Sequence, residues 1–553
     1  MVKGQRAPAG LCMGRAAPAW LALAAAFSQS ALAQSPAAAA PAPAASAAPA
    51  LAAAPAAVFA ILGFTVTGDN PLGAAETTRV LAPFVRPDAT IATLQQATAA
   101  LESALRAQGY GLHRVALPPQ EVGATVRLEV VTFTITKITT EGRAIYSEEN
   151  VRRALPELRE GTTPNFKRLA IETAISNENP NKQVQVGIRE GDEPDHIDAT
   201  VTVKELRPWT FGVAASNTGT KASGRDRLTV TGGHTNLFDR DHQFIGAYTT
   251  SVERTDNVKQ LGLAYKVPLY GLGAVVGASY TRSDVVGNFG AFTSTGAGRT
   301  AGVSTTFYLA PEGGRRSYVA VSLDDKVFNA SRIDDIVVPG ALDRRSRPVT
   351  LGYNAKVETD TAIWGYNADL AANTGTGAGN DLAAYRSEDP RITKLHWAAL
   401  RGGANYLAPF AQGWLLSVRG AWQYSPNVLI AGEQFGLGGL GSVRGTDIDR
   451  PLSGDSGVSA SVEASTPELL QGLRLAGFID GGWLGNNQPA SGLKPSSDQL
   501  ASVGVGLRYF RGPFGATVDY GRIVTGSSVS PAFNSAAPKA GDDRVYVSVS
   551  LRF

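Results

Sequence analysis

From Arg207 to Phe553 the chain runs in segments of about ten residues whose side chains alternate between apolar and polar, each closed by turn residues. In 544–553, Val545, Val547, Val549, Leu551 and Phe553 fall on one face, and Arg544, Tyr546, Ser548, Ser550 and Arg552 on the other. Val458, Ala460, Val462 and Ala464 oppose Ser459, Ser461 and Glu463 in the same way. Val503, Val505, Leu507 and Tyr509 oppose Ser502, Gly504, Gly506 and Arg508, and Phe514, Ala516, Val518 and Tyr520 oppose Thr517 and Asp519. Side chains of a strand point alternately to its two faces, so this pattern requires a sheet with an oily side and a wet side. About sixteen such segments are present, an even number that predicts a closed transmembrane β-barrel of antiparallel strands around water. Short turns at 236–240, 268–271, 311–314 and 511–512 alternate with long connections around 283–298, 326–347, 373–393, 425–456, 482–498 and 524–542. A soluble β-sandwich would explain the alternation but not the one-sided loop lengths. It would also leave the apolar terminus Phe553 without a purpose; in a barrel it is the expected C-terminal signal to the outer-membrane assembly machinery.

The other end of the chain agrees with export. Lys3, Arg6 and Arg15 precede an apolar run, 20–27, and Ala31-Leu32-Ala33 is a small-residue cleavage site, so 1–33 reads as a signal peptide. Residues 34–57 are almost only Ala, Pro and Ser and read as an extended linker. The single cysteine, Cys12, falls in the segment expected to be removed, which excludes disulfides and thiolate metal sites. No later apolar run approaches the roughly 20 residues of a spanning helix. A net charge of +3 gives no electrostatic footprint for nucleic acid. The 61 glycines and 2 methionines suit short strands and tight turns.

Between linker and barrel, two stretches share one element order. In 58–131 a strand candidate (59–66) precedes a helix with Ile91, Leu94, Ala97, Leu101 and Leu105 at helical spacing, stopped by Gly109, and strands over 112–117 and 125–131 follow. In 132–205 a strand over 133–138 precedes helices over 148–155 and 166–176 and strands over 183–188 and 197–203. The boundaries 58–131, 132–205 and 206–553 therefore predict a tandem of small α/β units followed by the barrel.

The candidate site lies in the long connection 429–456. Residues 436–447 and 452–457 carry too many glycines for a stable helix or an ordinary strand, so the path must be held from outside. One cation, Arg444, stands near the middle, and Phe478-Ile479-Asp480-Gly481-Gly482 follows as a strand end with one anion. The expectation is a loop folded into the barrel lumen with Arg444 at its tip, received by Asp480 on the wall. Glu463 and Arg474 are expected to point into the same lumen and are candidates for the same network. Gly436, Gly438 and Gly441 satisfy G-x-G-x-x-G, but no βαβ unit surrounds them. His113, His196, His234, His242 and His396 stand at no metal-ligand spacing, and no G-x-S-x-G elbow or H-E-x-x-H helix occurs. No enzyme, cofactor or metal is expected.

These residues resemble a family: the outer-membrane transporters of two-partner secretion, the hemolysin secretion/activation (ShlB/FhaC/HecB, TpsB) branch of the Omp85 superfamily. The most specific match is Gly438-Gly439 to Val443-Arg444-Gly445, then Leu452-Ser453-Gly454-Asp455, with Phe478-Ile479-Asp480-Gly481 as the receiving strand. The stretches 117–120 and 178–184 resemble parts of the family's two periplasmic POTRA domains, and 227–241 and 265–269 resemble barrel hairpins. The resemblance implies POTRA 1 at 58–131, POTRA 2 at 132–205, and a pore that recognises an exported hemolysin- or adhesin-type (TpsA-like) protein and passes it unfolded to the cell surface. Outer-membrane lipids and, during biogenesis, the barrel assembly machinery are the other implied partners. Two departures stand out. Thr446 replaces the family's aromatic after Arg-Gly, and 34–57 holds too many prolines for the N-terminal plug helix that members often carry. A barrel assembly factor and a passive porin are the competing readings; two α/β units are few for the first and unexplained by the second.

Overall fold

The computed structural model describes residues 58–553 except Val122, Ser331, Asp334, Asp335, Ser491 and Leu493. The expected signal peptide, linker and Cys12 lie outside the described residues. Two compact units emerge, one holding 206–553 together with 174–181, the other the preceding residues up to 173 with 182–205.

The first sheet of the smaller unit joins Gly63–Gly68 parallel to Thr125–Thr132, which pairs antiparallel with His113–Ala116. Helix Ile91–Ala107 lays Leu94, Ala97, Leu101 and Leu105 on this sheet against Val115, Val126, Leu128 and Val130. Its start is fixed by Thr90 and Thr93, which cap each other's backbone, and its end by Gly109 at φ +96°. Ile91 is not part of that core: at the first helical position it points away and is 61 % exposed. The strand expected over 59–66 begins only at Gly63, because Phe59 instead bonds with Ala89. The second sheet repeats the plan, with Thr134–Glu141 parallel to His196–Glu205 and Lys182–Glu190 antiparallel to it.

In this second half, Glu172 is 4 % exposed and accepts the Glu157 amide at 3.1 Å. Burial pushes its carboxyl up to about 7. Below pH 4.5 folded and unfolded chains both hold the proton. From there to about 7 only the unfolded chain ionises, so stability falls as pH rises, and above it the penalty is constant. Glu172→Gln keeps an acceptor for the Glu157 amide, so it should stabilise this sheet by about 1–3 kcal/mol at pH 8 and by little at pH 5. Hydrogen exchange of 134–205 in the full-length protein at the two pH values measures this.

The larger unit is a closed barrel of sixteen antiparallel strands, counting Arg344–Ser346 and Pro348–Glu358 as two pieces of one strand, since both pair with Arg315–Phe328. It closes where Trp209–Ser216 meets Asp543–Arg552, in register from Gly212↔Arg552 to Ser216↔Ser548. The alternation is visible along Leu473–Gly485: Ile479 is 65 % exposed on the outer face, while Phe478 and Asp480, at 4 % and 0 %, face inward. Strands ending at Leu237, Leu269, Tyr308, Phe410 and Arg511 turn back tightly, and the long connections gather at the opposite end. Segment 174–181 belongs to the tight-turn end: Asn179 Nδ2 donates to Thr235 O at 3.0 Å, and Tyr318 Oη donates to Glu178 Oε1 at 3.3 Å.

Candidate functional site

The connection after Trp414–Tyr424 does not stay outside. Phe435–Leu437 and Leu452–Gly454 pair as a short stem. Beyond it the backbone turns through Gly438 and Gly439, at φ +101° and +96°, where a Cβ would collide with Pro451 and Asp449. The tip then lies against inward-facing residues of four strands. Val443 is fully buried, in an apolar cluster with Leu437, Leu452, Leu484, Leu500 and Ile523.

Arg444 is 2 % exposed. Asp480 takes three of its hydrogens: Nε donates to Oδ2 at 2.8 Å, Nη2 to Oδ1 at 2.8 Å, and the backbone amide to Oδ2 at 3.1 Å. Nη1 reaches Glu463 Oε2 at 2.9 Å and Asp519 Oδ1 at 3.2 Å, and Nη2 reaches Ser461 Oγ at 3.2 Å. Arg508 Nη2 shares both of those acids, at 3.0 and 2.6 Å. Arg419, opposite Ser461 in the ladder, is a third cation beside this group. Three arginines thus face three carboxylates in a buried space, each carboxylate in place to neutralise a charge that would otherwise be stranded.

Thr446 offers the arginine no ring, and the aromatic contacts at the tip come from the wall. The Arg444 guanidinium lies 3.3 Å from the Phe478 ring centroid. Tyr546 Oη accepts the Gly445 amide at 3.1 Å and donates to Thr446 O at 2.8 Å. Thr446 itself closes the turn, accepting the Gly439 amide at 2.8 Å and donating to Ile448 O at 2.9 Å.

Arg474 does not join this network. Its Nη1 donates to Gly413 O at 3.1 Å and Thr466 O at 2.8 Å. It occupies Asp480's face of the strand, but at about 3.3 Å per residue it sits roughly 20 Å nearer the tight-turn end. Gly454 and Asp455 mark the loop's root. Asp455 accepts the amides of Leu429 at 2.8 Å and Asn487 at 2.9 Å, and a Cβ on Gly454 would press on Gly485 O at 3.0 Å. Phe553 is 75 % exposed at the strand end, its amide donating to Phe211 O at 2.9 Å.

Two features escaped the sequence reading. Glu433, whose side chain is fully buried, meets Lys326 at 3.1 Å and Arg401 at 2.9 Å and accepts Ser346 Oγ at 3.0 Å. These partners come from strands three to six places round the barrel from that of Asp480, so the loop is fastened to a second part of the wall. The connection 283–298 also turns inward: Gly287–Phe289 and Phe292–Ser294 form a hairpin whose Phe289 and Phe292 pack on Ala247. A pair of phenylalanines around Gly290 was the available signal. Among the described residues no group of His, Cys, Asp or Glu could hold a metal ion.

A closed barrel crossed by an inward loop, in a chain that also carries two small three-stranded α/β sheets, defines an outer-membrane transport pore with periplasmic POTRA domains. Residues 196–509 match the family described as Haemolysin secretion/activation protein ShlB/FhaC/HecB, and 59–132 match the ShlB-type POTRA domain. The chain belongs to that haemolysin secretion/activation family, whose members are outer-membrane transporters of two-partner secretion. The outer membrane transporter CdiB of Dickeya dadantii is 26 % identical over 69 % of this chain and 68 % of its own. That of Escherichia coli is 24 % identical over 77 % and 73 %. Among solved structures, CdiB from Escherichia coli superposes with a TM-score of 0.70 at 22 % identity, covering 91 % of this chain and 92 % of its own. CdiB from Acinetobacter baumannii gives 0.69 at 16 % identity, covering 91 % of each. These likenesses establish the fold.

Proposed function

We propose that this transporter captures an exported hemolysin- or adhesin-type partner in the periplasm and threads it unfolded through the barrel, with the Arg444–Asp480 contact holding the loop that controls passage. The observation that carries this reading is the loop itself: an occupied lumen suits a gated conduit better than a porin. Each small sheet pairs its first and second strands on one side only, so Gly63–Gly68 and Lys182–Glu190 offer edges to which an extended chain can add by backbone hydrogen bonds of low sequence demand. No nucleotide-binding context surrounds the glycine-rich loop, which fits a drive from folding of the partner outside the cell. Phe553, exposed at the end of the last strand, is the proposed handle for barrel assembly in the membrane.

Co-expression with a secreted protein encoded beside this gene, scoring its appearance in the medium, tests the reading. Removal of 59–204 should abolish export at unchanged barrel levels. Export by the shortened protein would overturn capture by the α/β units, and no export by the intact chain would overturn the assignment of partner.

A further inference from the structure

Near the long-loop end, the outer wall carries a row of arginines on adjacent strands. Arg282 of Ala274–Ser283 stands directly opposite Arg299 of Gly298–Tyr308. Arg299 is opposite Val327 of Arg315–Phe328, which is opposite Arg345. Outward-facing side chains alternate along each strand, and Arg282, Arg299, Arg345 and Arg347 all share the outward parity of their apolar neighbours Val276, Val303, Leu323, Val349 and Leu351. One carboxylate answers them: Asp325 Oδ1 lies 2.8 Å from Arg347 Nε and 3.1 Å from Arg345 Nε. Arg282 and Arg299 are exposed and form no salt bridge among the described residues.

Like charges placed directly opposite in a ladder are unfavourable, so this pair costs stability unless an anion bridges it. The row is also local. Across the barrel the outward residues at the same end are Ala372, Leu400, Tyr424, Val458, Trp483 and Gln499, none of them basic. Arg522, the outward arginine of Phe514–Thr525, stands opposite an acid, Asp543, and not opposite another arginine. Arginines are tolerated at the edge of the lipid-facing band but not in its middle, which places the row at headgroup depth.

The geometry points to a binding site for a phosphorylated lipid headgroup of the outer leaflet on the wall formed by Arg282, Arg299, Arg345 and Arg347, its acyl chains lying on the apolar band beneath. Guanidinium forks match phosphate oxygens in pairs. A free phosphate would satisfy the cations only; an acylated phosphate satisfies the cations and the adjoining Val303, Leu323 and Leu351 surface together. The site rests on the barrel's place in the membrane and not on the proposed partner.

The test uses the full-length protein purified in phosphate-free detergent, with diphosphorylated lipid A, enzymatically dephosphorylated lipid A and inorganic phosphate as probes. Native mass spectrometry is expected to show the diphosphorylated lipid bound at least tenfold more tightly than the dephosphorylated one, and millimolar phosphate should not displace it. The same lipid should raise the thermal midpoint. Arg282→Gln combined with Arg299→Gln should lose at least tenfold in binding and lose the thermal shift, while being at least as heat-stable as wild type without lipid; Arg522→Gln should bind normally. Equal binding of the dephosphorylated lipid, displacement by phosphate alone, or unchanged binding by the double variant would overturn the site. If the double variant fails to fold, the comparison of lipids on wild type, together with Arg282→Gln alone, still decides.

Discussion

Asp480→Ala is expected to release the lumen loop and abolish export of the secreted partner, with single-channel conductance in planar bilayers rising at equal barrel levels. The substitution removes the acceptor of three hydrogen bonds from Arg444 and leaves a guanidinium that is 2 % exposed with one anion too few around it. Losing one partner of a buried pair costs about 3–5 kcal/mol, mostly because the other charge is stranded, and the loop can escape that cost by moving its tip to water. Arg444→Ala should give the same phenotype, and the double variant should be little worse than either single one, since the second change removes the charge that the first stranded. Wild-type conductance and export in both single variants would show that the contact holds nothing of consequence.

Gly521→Val should expel the same tip without touching a charge. Gly521 faces inward on Phe514–Thr525, and a Cβ there would lie 2.9 Å from Arg444 C and 3.0 Å from the Gly445 nitrogen, backbone atoms that cannot swing aside. Gly445 presses back from its side: at φ +114°, its own Cβ would meet Gly521 O at 3.1 Å. The two glycines allow main chain to rest on main chain, and filling that gap costs roughly 1–3 kcal/mol for each added clash. Gly521→Ala should be milder than Gly521→Val. Conductance and export that follow the size of the added group would tie passage to loop position; wild-type behaviour of Gly521→Val would separate the two.

The parts of this architecture that could be read in advance are those governed by neighbours in sequence. Val545, Val547 and Val549 announce their face because alternation is a property of a single strand. Leu94, Ala97, Leu101 and Leu105 do so for a helix. Arg444 was legible because glycines on both sides made its position unusual, and Asp480 because its strand carried a lone acid, although it stands within Leu473–Gly485 and not at the strand end expected from Gly481-Gly482. Depth along the bore was not legible. Arg474 has the correct parity and the wrong height, since height depends on how far each strand is staggered against the next. Glu433 was missed for a related reason: Lys326, Ser346 and Arg401 reach it only after the sheet has closed. The inward hairpin at 287–294 is not legible either, because the length of the connection 283–298 says nothing about the direction in which it folds.

Two of the loop's attachments lie together at its root, Glu433 and Asp455, whose carbonyls both accept Gln423 Nε2 at 3.0 Å, and the third, Arg444, lies at its tip. A polypeptide arriving from the periplasm along the proposed route would meet Arg444 before the two grips at the root, and would pull on the fastenings from the free end, as tape is peeled from a surface. The force needed would then be set first by the tip alone and not by the sum of three, whereas a pull from the cell surface would strain the root while the tip still held. On the proposed route such a strap would be mechanically directional, yielding more readily to traffic moving outward than to traffic moving in.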